Sequence, residues 1–554
     1  MSHTYKKSIT VFIKSLPLKL KKREIFLFFF LFLTSLGIWE QRIHSELTPN
    51  EAIFRLLALR WEPAYISGPS GLGILFLFAE NLPEFLQKIF SPLAWFLTGI
   101  GIWFLAKWFY GKSVAFWPTL AWCVFPAGFQ AADSFSTEIF SVAAWIWFWA
   151  FFLRALKYDD ILDWICASLI ATIGVWISYS FWLIYPAFFI FVFFDKFLIK
   201  NSSHDNQSSK HDNDYQNVIW HQQMNIFSLS WKSLAVILLP IVFSYPIYQW
   251  NSDNDWISFS KTLQARLAFE FSTFLENVGE LIILSGGVMF FYLFFIFIEG
   301  IINFKINKKE FPLLTIWIVS FVWLILSLWQ SEDLLGPTLF FGVPGFLFAR
   351  NGICQQIISS QHPNLLTKII QNRFFFYSSL FCSLGIIFYQ KNILDLPHTK
   401  NWKFLSEELE KIKMEFTDNV NPPPFLIAEN AKFASLLSAY LVKNKGHSFP
   451  PVFVRESQNI EGQFGLWPRY DEFELTQATS SLNESFAPDH FHELRGTSPY
   501  LHQNALYITS ESKSELCSVI INSFVKIRLV QTFLFPHGEK IFIYFCENYQ
   551  PAPL

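Results

Sequence analysis

The residues with the most chemical potential lie just after the first apolar segment, in ELTPNEAIFRLLALRWEPAYISGPS (Glu46–Ser70). Thr48 is a cap-type residue, Pro49 suits a first helical position, and Glu51 puts a carboxylate in the first turn, where the helix dipole favours an anion. Asn50 stands beside it and cannot serve as a base. One reading is local: Glu51 closes a capping box with Thr48. The other starts from the apolar face of Ile53, Leu56 and Leu57, which would lay the helix in a membrane interface with Arg55 and Arg60 flanking it. A carboxylate and cations held at headgroup level suit chemistry on a lipid phosphate. Both readings stand at this stage.

The elements that must position these residues are set by composition. The chain of 554 residues is 52% hydrophobic and 19% aromatic, with 67 Phe and 22 Trp, and 16% of it is charged. A soluble domain carries about 25% charged residues, and the mean hydropathy of +0.31 points the same way. An α-helical polytopic membrane protein is expected. A net charge of −2 excludes a general nucleic-acid binder, which needs a basic footprint. The six cysteines show no ligand spacing, so neither zinc nor an iron–sulfur cluster is indicated. Cys123, Cys166, Cys354 and Cys382 fall in or beside apolar segments and read as small hydrophobes. Cys517 and Cys546 lie in the polar C-terminal part, where a disulfide or two free thiols are both compatible with the sequence. No metal and no cofactor is expected.

A spanning helix needs about 20 apolar residues. Candidate spans start near Ile25, Gly71, Phe90, Val114, Glu138, Ile161, Trp182, Ser233, Leu281, Leu313, Leu335 and Phe374, giving roughly 11 to 13. The basic segment before Arg23 reads as cytoplasmic, as do Lys107/Lys112, Arg154/Lys157, Lys196/Lys200, Lys305/Lys308/Lys309 and Lys368/Arg373. From the first outer loop to Lys107 the chain must cross an odd number of times, yet two apolar stretches lie there. Either Gly71–Glu80 is re-entrant or the charge rule fails locally. The expected organisation is a basic N-terminal segment (1–24), a membrane domain (25–390) with its first outer loop at 40–70, and a C-terminal extracytoplasmic α/β domain (391–554). A polar loop at 200–231 contains His204, His211 and His221, read as a solvated cytoplasmic loop rather than a metal tract. In the last domain, strands are expected at Phe425–Ile427, Pro451–Val454, Ala505–Thr509, Val525–Thr532 and Lys540–Cys546, with an amphipathic helix after the first.

Several stretches carry a family resemblance, in the same order along the chain. PNEAIF and SGPS stand where the family has Pro-Asp-Glu-Ala-Tyr-Tyr and then His-Pro-Pro. STEIFSVAAWIWFWAFFLRAL stands where it has Thr-Pro-Asp and an apolar span ending Leu-Arg-Ala-Leu. WNSDNDWISFSKTLQAR (Trp250–Arg266), AENAKFASLLSAY and GQFGLWPRYD resemble its later signatures. On these residues the chain resembles GT-C glycosyltransferases of the protein O-mannosyltransferase and aminoarabinose transferase branch (bacterial family 39 type).

The resemblance implies a GT-C membrane domain of a bacterial inner membrane, N-terminus cytoplasmic and C-terminal domain periplasmic. It implies a polyprenyl-phosphate sugar as donor, a lipid, glycan or protein as acceptor, and inverting transfer, with membrane lipid around it. A first-loop acid would act as base and cations would neutralise the departing phosphate. Carried over residue by residue, the acidic positions are Asn50, Glu51 and Glu138. Arg55, Arg60, Lys261 and Arg266 would lie around the phosphate; Lys261's own position does not match the family, and Arg266 reads equally as an interfacial snorkelling arginine. Trp250 and Trp256 would stack on a sugar, or serve as interfacial belt residues. Gln463 and Trp467 read as structural. The departures fall on functional positions: Asn50 replaces the motif Asp, Gly68-Pro69-Ser70 the His-Pro-Pro, Tyr179 a Lys, Asn254 a His, and Gly336-Pro337-Thr338 a Pro-Asn-Trp. Either Glu51 or Glu138 has taken over the base role, or the chain is a silent relative binding a lipid-linked sugar or a partner. A transporter fits the span count, but no intramembrane ionisable relay stands out.

Overall fold

The computed structural model describes residues 22–190, 231–258, 271–302, 311–328, 334–359, 373–389, 402–417, 422–441, 450–455, 462–467, 469–471, 500–512, 514–535 and 538–550. They fall into two compact units. One comprises the described residues within Met1–His44, Glu62–Ala64 and Gly68–Leu394; the other those within Ser45–Trp61, Tyr65–Ser67 and Asp395–Leu554.

The first unit is helical because its apolar runs are long and in lipid every backbone polar group must be paired within its own segment. It contains α1 (Lys22–His44) and, in the second unit, the chain then forms α2 (Pro49–Leu59). Back in the first unit follow α3 (Gly71–Glu80), α4 (Phe90–Tyr110), α5 (Lys112–Trp122), α6 (Pro126–Ala132), α7 (Thr137–Tyr158), α8 (Ile161–Ile177), α9 (Trp231–Phe243) and α10 (Tyr245–Asp253). The last helices of this unit are α11 (Phe271–Leu284), α12 (Val288–Ile302), α13 (Phe311–Leu328), α14 (Leu335–Ser359) and α15 (Arg373–Tyr389). Among the described residues four helices are long and apolar enough to cross a membrane, and a fifth span forms if the pair α11–α12, bent by 95°, counts as one. Shorter apolar helices accompany them. At ten residues, α3 is about 15 Å long, shorter than the roughly 20 residues a spanning helix needs.

Aromatic side chains fill the interior. Trp95 and Trp122 are both fully buried, stack at 5.9 Å, and are tied by the Trp122 indole N–H donating to the Trp95 carbonyl at 3.1 Å. Glycines let helices approach: a Cβ on Gly174 of α8 would collide with the Phe181 ring, and one on Gly71 with the Trp176 carbonyl. Where α7 turns into α8, Asp159 caps the helix in the left-handed region (φ 49°) and receives the Lys232 ammonium at 2.8 Å. Large apolar side chains on α1, among them Phe26, Phe29 and Leu33, stay exposed, as a lipid-facing surface requires.

The second unit is an α/β sandwich. It contains α16 (Trp402–Glu415), β1 (Phe425–Ala428), α17 (Ala431–Leu441), β2 (Val452–Val454), β3 (Ala505–Thr509), α18 (Ser518–Ser523), β4 (Phe524–Leu534) and β5 (Lys540–Tyr549). The sheet order is β2-β1-β3-β5-β4, with β1 parallel to β2 and β3, and β5 antiparallel to β3 and β4. Burial on every residue of β1 and β3 explains their unbroken apolar runs. Cys517 and Cys546 carry free thiols, and burial pushes that of Cys546 up to about 12.

At the carboxyl ends of β1 and β3, Glu429 accepts the Ser510 N–H and hydroxyl, each at 2.7 Å, and the Thr509 hydroxyl at 3.0 Å. Burial by itself would raise this carboxyl; the three donors and the nearby Arg455 charge outweigh it and hold Glu429 below its ordinary value. A carboxyl depressed in the folded state stabilises above its unfolded pKa, and that contribution is lost as pH falls through the folded value. Thermal scans of the full chain between pH 6 and pH 3 (roughly the span over which a carboxyl titrates) should show a steeper acid decline for the parent than for Glu429→Gln. Identical slopes would contradict the assignment.

Candidate active site

The start of α2 forms as its sequence predicts. Thr48 is the cap: its hydroxyl accepts the Glu51 N–H at 3.3 Å, while Glu51 Oε2 accepts the Thr48 N–H at 2.9 Å. Glu51 is thus in a capping box and 4% exposed, with exposed Asn50 beside it. Arg55 is buried on the same helix and Arg60 forms its C-cap.

The apolar face of α2 has another partner than the one expected. Leu56 and Leu57 are fully buried, and α2 packs against α17 of the second unit. An amphipathic face gains the same burial from protein as from lipid, and here protein provides it. The loop is also pinned by hydrogen bonds. The Trp402 and Lys403 N–H groups at the start of α16 donate to Glu46 at 2.9 and 3.4 Å. The Leu47 N–H donates to the Tyr440 hydroxyl at 3.1 Å, and the Ile66 N–H to Gln463 Oε1 at 3.0 Å. Of the loop at 40–70, expected within the membrane domain, residues 45–61 and 65–67 belong to the second unit.

In the first unit, Trp250 is 8% exposed and its indole N–H donates to Glu62 Oε2 at 2.7 Å. Its neighbour Asn251 donates to the Tyr179 hydroxyl at 2.9 Å and accepts the Ser258 hydroxyl at 2.8 Å. Trp250 is thereby an anchored side chain rather than an open stacking platform. Trp256 is partly exposed, edge-on to Tyr248 at 5.2 Å; it and Asp255 both occupy the left-handed region, at φ 56° and 51°. Two consecutive non-glycine residues there make a strained turn. Glu138 sits half-buried at the start of α7, where Oε1 accepts the Thr137 hydroxyl at 2.8 Å, beside Gly336 of α14.

The structure therefore groups Asn50, Glu51, Arg55 and Arg60 on α2 in one unit, and Glu138, Trp250 and Trp256 in the other. Lys261 and Arg266 lie outside the described residues, as do the polar loop with His204, His211 and His221 and the basic residues Lys196, Lys200, Lys305, Lys308, Lys309 and Lys368. Among the described residues no group of three His, Cys, Asp or Glu side chains is gathered as metal ligands. Sequence reasoning passed over Glu62; its one signal is a carboxylate between Trp61 and Pro63 just after the helix.

Residues 74–204 match the family described as dolichyl-phosphate-mannose-protein mannosyltransferase. Over 93% of this chain and 97% of the other, the structure superposes with a TM-score of 0.54 on ArnT from Cupriavidus metallidurans bound to undecaprenyl phosphate, at 10% identity. The chain has the ArnT fold. The GT-C fold class expected from the motifs therefore holds: a helical polytopic membrane protein with a smaller sheet-containing C-terminal region. ArnT from the same organism in its apo state matches at 10% identity over the same shares, with a TM-score of 0.48. The Archaeoglobus fulgidus oligosaccharyltransferase tethered to an acceptor peptide matches at 12% identity over 75% of this chain and 63% of its own, with a TM-score of 0.46. No curated protein matches by sequence.

Proposed function

We propose that the chain is a membrane glycosyltransferase that moves a monosaccharide from a polyprenyl-phosphate carrier to a lipid, glycan or protein acceptor at the outer face of a bacterial inner membrane. The observation that carries this reading is the ArnT fold along nearly the whole of both chains, in a comparison protein that binds undecaprenyl phosphate. The mannosyltransferase-type match at residues 74–204 supports sugar transfer from a lipid phosphate. In the reaction an outer-side carboxylate takes the acceptor proton, the acceptor attacks the anomeric carbon, and the bond to the phosphate oxygen breaks with inversion. Glu51 and Glu138 stand on the family's acidic positions. Arg55, Arg60, Lys261 and Arg266 are the cations proposed to neutralise the departing phosphate, where charge develops in the transition state. Trp256 offers a ring for the sugar. The N-terminus is cytoplasmic and the C-terminal unit periplasmic in this reading.

One observation favours a second reading, a silent relative that binds a lipid-linked sugar. Asn50 replaces the motif acid, and its neighbour Glu51 serves as a buried cap. The test is the purified full chain with a panel of radiolabelled polyprenyl-phosphate sugars. Transfer of label to acceptor or water by the parent is the expected result. A parent without turnover, together with turnover gained by Asn50→Asp, would overturn it in favour of the silent relative.

A further inference from the structure

We propose that Glu62 is the general base of this site, an assignment that rests on the glycosyltransferase reading. The described carboxylates of the first outer loop have different occupations. Glu40 is well exposed on the last turns of α1, 3.8 Å from His44. Glu46 holds the N-terminus of α16 through two backbone N–H groups. Glu51 holds the start of α2 and is 4% exposed. The contacts of Glu46 and Glu51 fix backbone, and each would be broken if the carboxylate turned to a substrate.

Glu62 is held differently. It is half-buried, and its Oε2 receives the indole N–H of a residue 188 positions away at 2.7 Å. That residue, Trp250, is itself fixed in α10 next to Asn251, which is 1% exposed and bonded on both sides to Tyr179 and Ser258. A base oriented by a further group that is packed in place is the arrangement that activates a nucleophile. The indole N–H is a donor only, so it orients the carboxylate without competing for the proton the base must accept. Glu138, in the same unit, is held by its own neighbour Thr137; Glu62 is held across the fold. In the step proposed, Glu62 takes the proton of the acceptor hydroxyl or amine. The acceptor atom bonds to the anomeric carbon, and the electron pair of the breaking carbon–oxygen bond leaves with the phosphate. Trp250 is then a positioning residue.

The test uses the full chain with whichever radiolabelled polyprenyl-phosphate monosaccharide the parent turns over. Glu62→Gln should lower kcat by about 10²- to 10⁴-fold, the usual loss of a general base, with KM for the donor and the thermal midpoint unchanged. Glu62→Ala should regain activity in formate, which a structural carboxylate would not show. Trp250→Phe should lose less kcat than Glu62→Gln and leave KM unchanged, as expected when an interaction made only in the transition state is weakened. Parental kcat in Glu62→Gln would overturn the assignment, as would a fall with a lowered thermal midpoint and no formate rescue; loss confined to Glu138→Gln would move the base there. A parent that transfers no sugar from any donor would instead sink the glycosyltransferase reading itself.

Discussion

Replacing Arg154 with alanine should cost about 3–5 kcal/mol, the usual penalty for removing one partner of a buried ion pair. Its guanidinium Nε lies 3.3 Å from Asp163 Oδ2, with side-chain exposures of 5% and 2%, and the charge also rests 5.4 Å from the Phe104 ring. The pair joins the end of α7 to the start of α8 across the Asp159 turn, where the two helices pack along their length. In Arg154→Ala, the Asp163 carboxylate, 1% exposed, is left buried without the Arg154 charge. At 1.4 kcal/mol per decade, the folded-to-unfolded ratio should fall by about two to three and a half orders of magnitude. The measurement is the yield of monodisperse protein in mild detergent and its thermal midpoint. The double variant Arg154→Met with Asp163→Leu should recover most of the loss, because an apolar pair of similar volume avoids the desolvation cost altogether. If Arg154→Ala folded as the parent does, the pair would be a bystander and the α7–α8 turn would be held by its other contacts, the Asp159–Lys232 pair, the Trp164 indole on Asp159 and the Asp160 cap.

How far such features can be read in advance depends on whether they are local. The start of α2 was legible because Thr48-Pro49-Asn50-Glu51 contains its own instructions: cap, fixed φ and a reciprocal carboxylate within four residues. Strands β1 and β3 were legible because a short, largely apolar run has few other places to go, and Ala505–Thr509 forms with the predicted bounds. Partner choice was not legible. The pattern of Leu56 and Leu57 states that one face of α2 must leave water; it is silent on whether lipid or α17 receives it. Long-range polar contacts were equally hidden, since nothing near Glu62 points to Trp250, nor anything near Glu46 to the start of α16. Span counting suffered from the same locality: hydropathy sees α3 and α4 as two apolar stretches, whereas only the length of the helix that forms reveals that α3 stops after ten residues. The fold class is legible because it rests on many residues at once, while a site rests on a few whose geometry is set far away in the chain.

Trp467→Ala should destabilise the C-terminal unit by about 3–5 kcal/mol, the usual cost of a large aromatic removed from a packed interior. Trp467 is fully buried and packs edge-on against Phe464 at 5.1 Å, just beyond the 3₁₀ turn Gly462–Gly465. Its backbone N–H donates to the Gln463 carbonyl at 3.2 Å, so the residue's backbone and the turn are one local assembly. The consequence reaches the segment after α2, because the Gln463 side chain on that turn accepts the Ile66 N–H. Loosening the turn should therefore release the segment that follows α2 as well as the turn itself. Hydrogen exchange of the full chain separates this from a direct role in binding sugar. Trp467→Ala should lower the thermal midpoint and raise exchange at residues 65–67, and Trp467→Phe, which keeps a ring in the pocket, should do both to a smaller extent. A ring used only for stacking on a ligand would behave in the opposite way: its loss would weaken donor binding while leaving the midpoint and the exchange of 65–67 as they are. The burial of Trp467 favours the first outcome, since no face of the ring is open for a sugar to lie on.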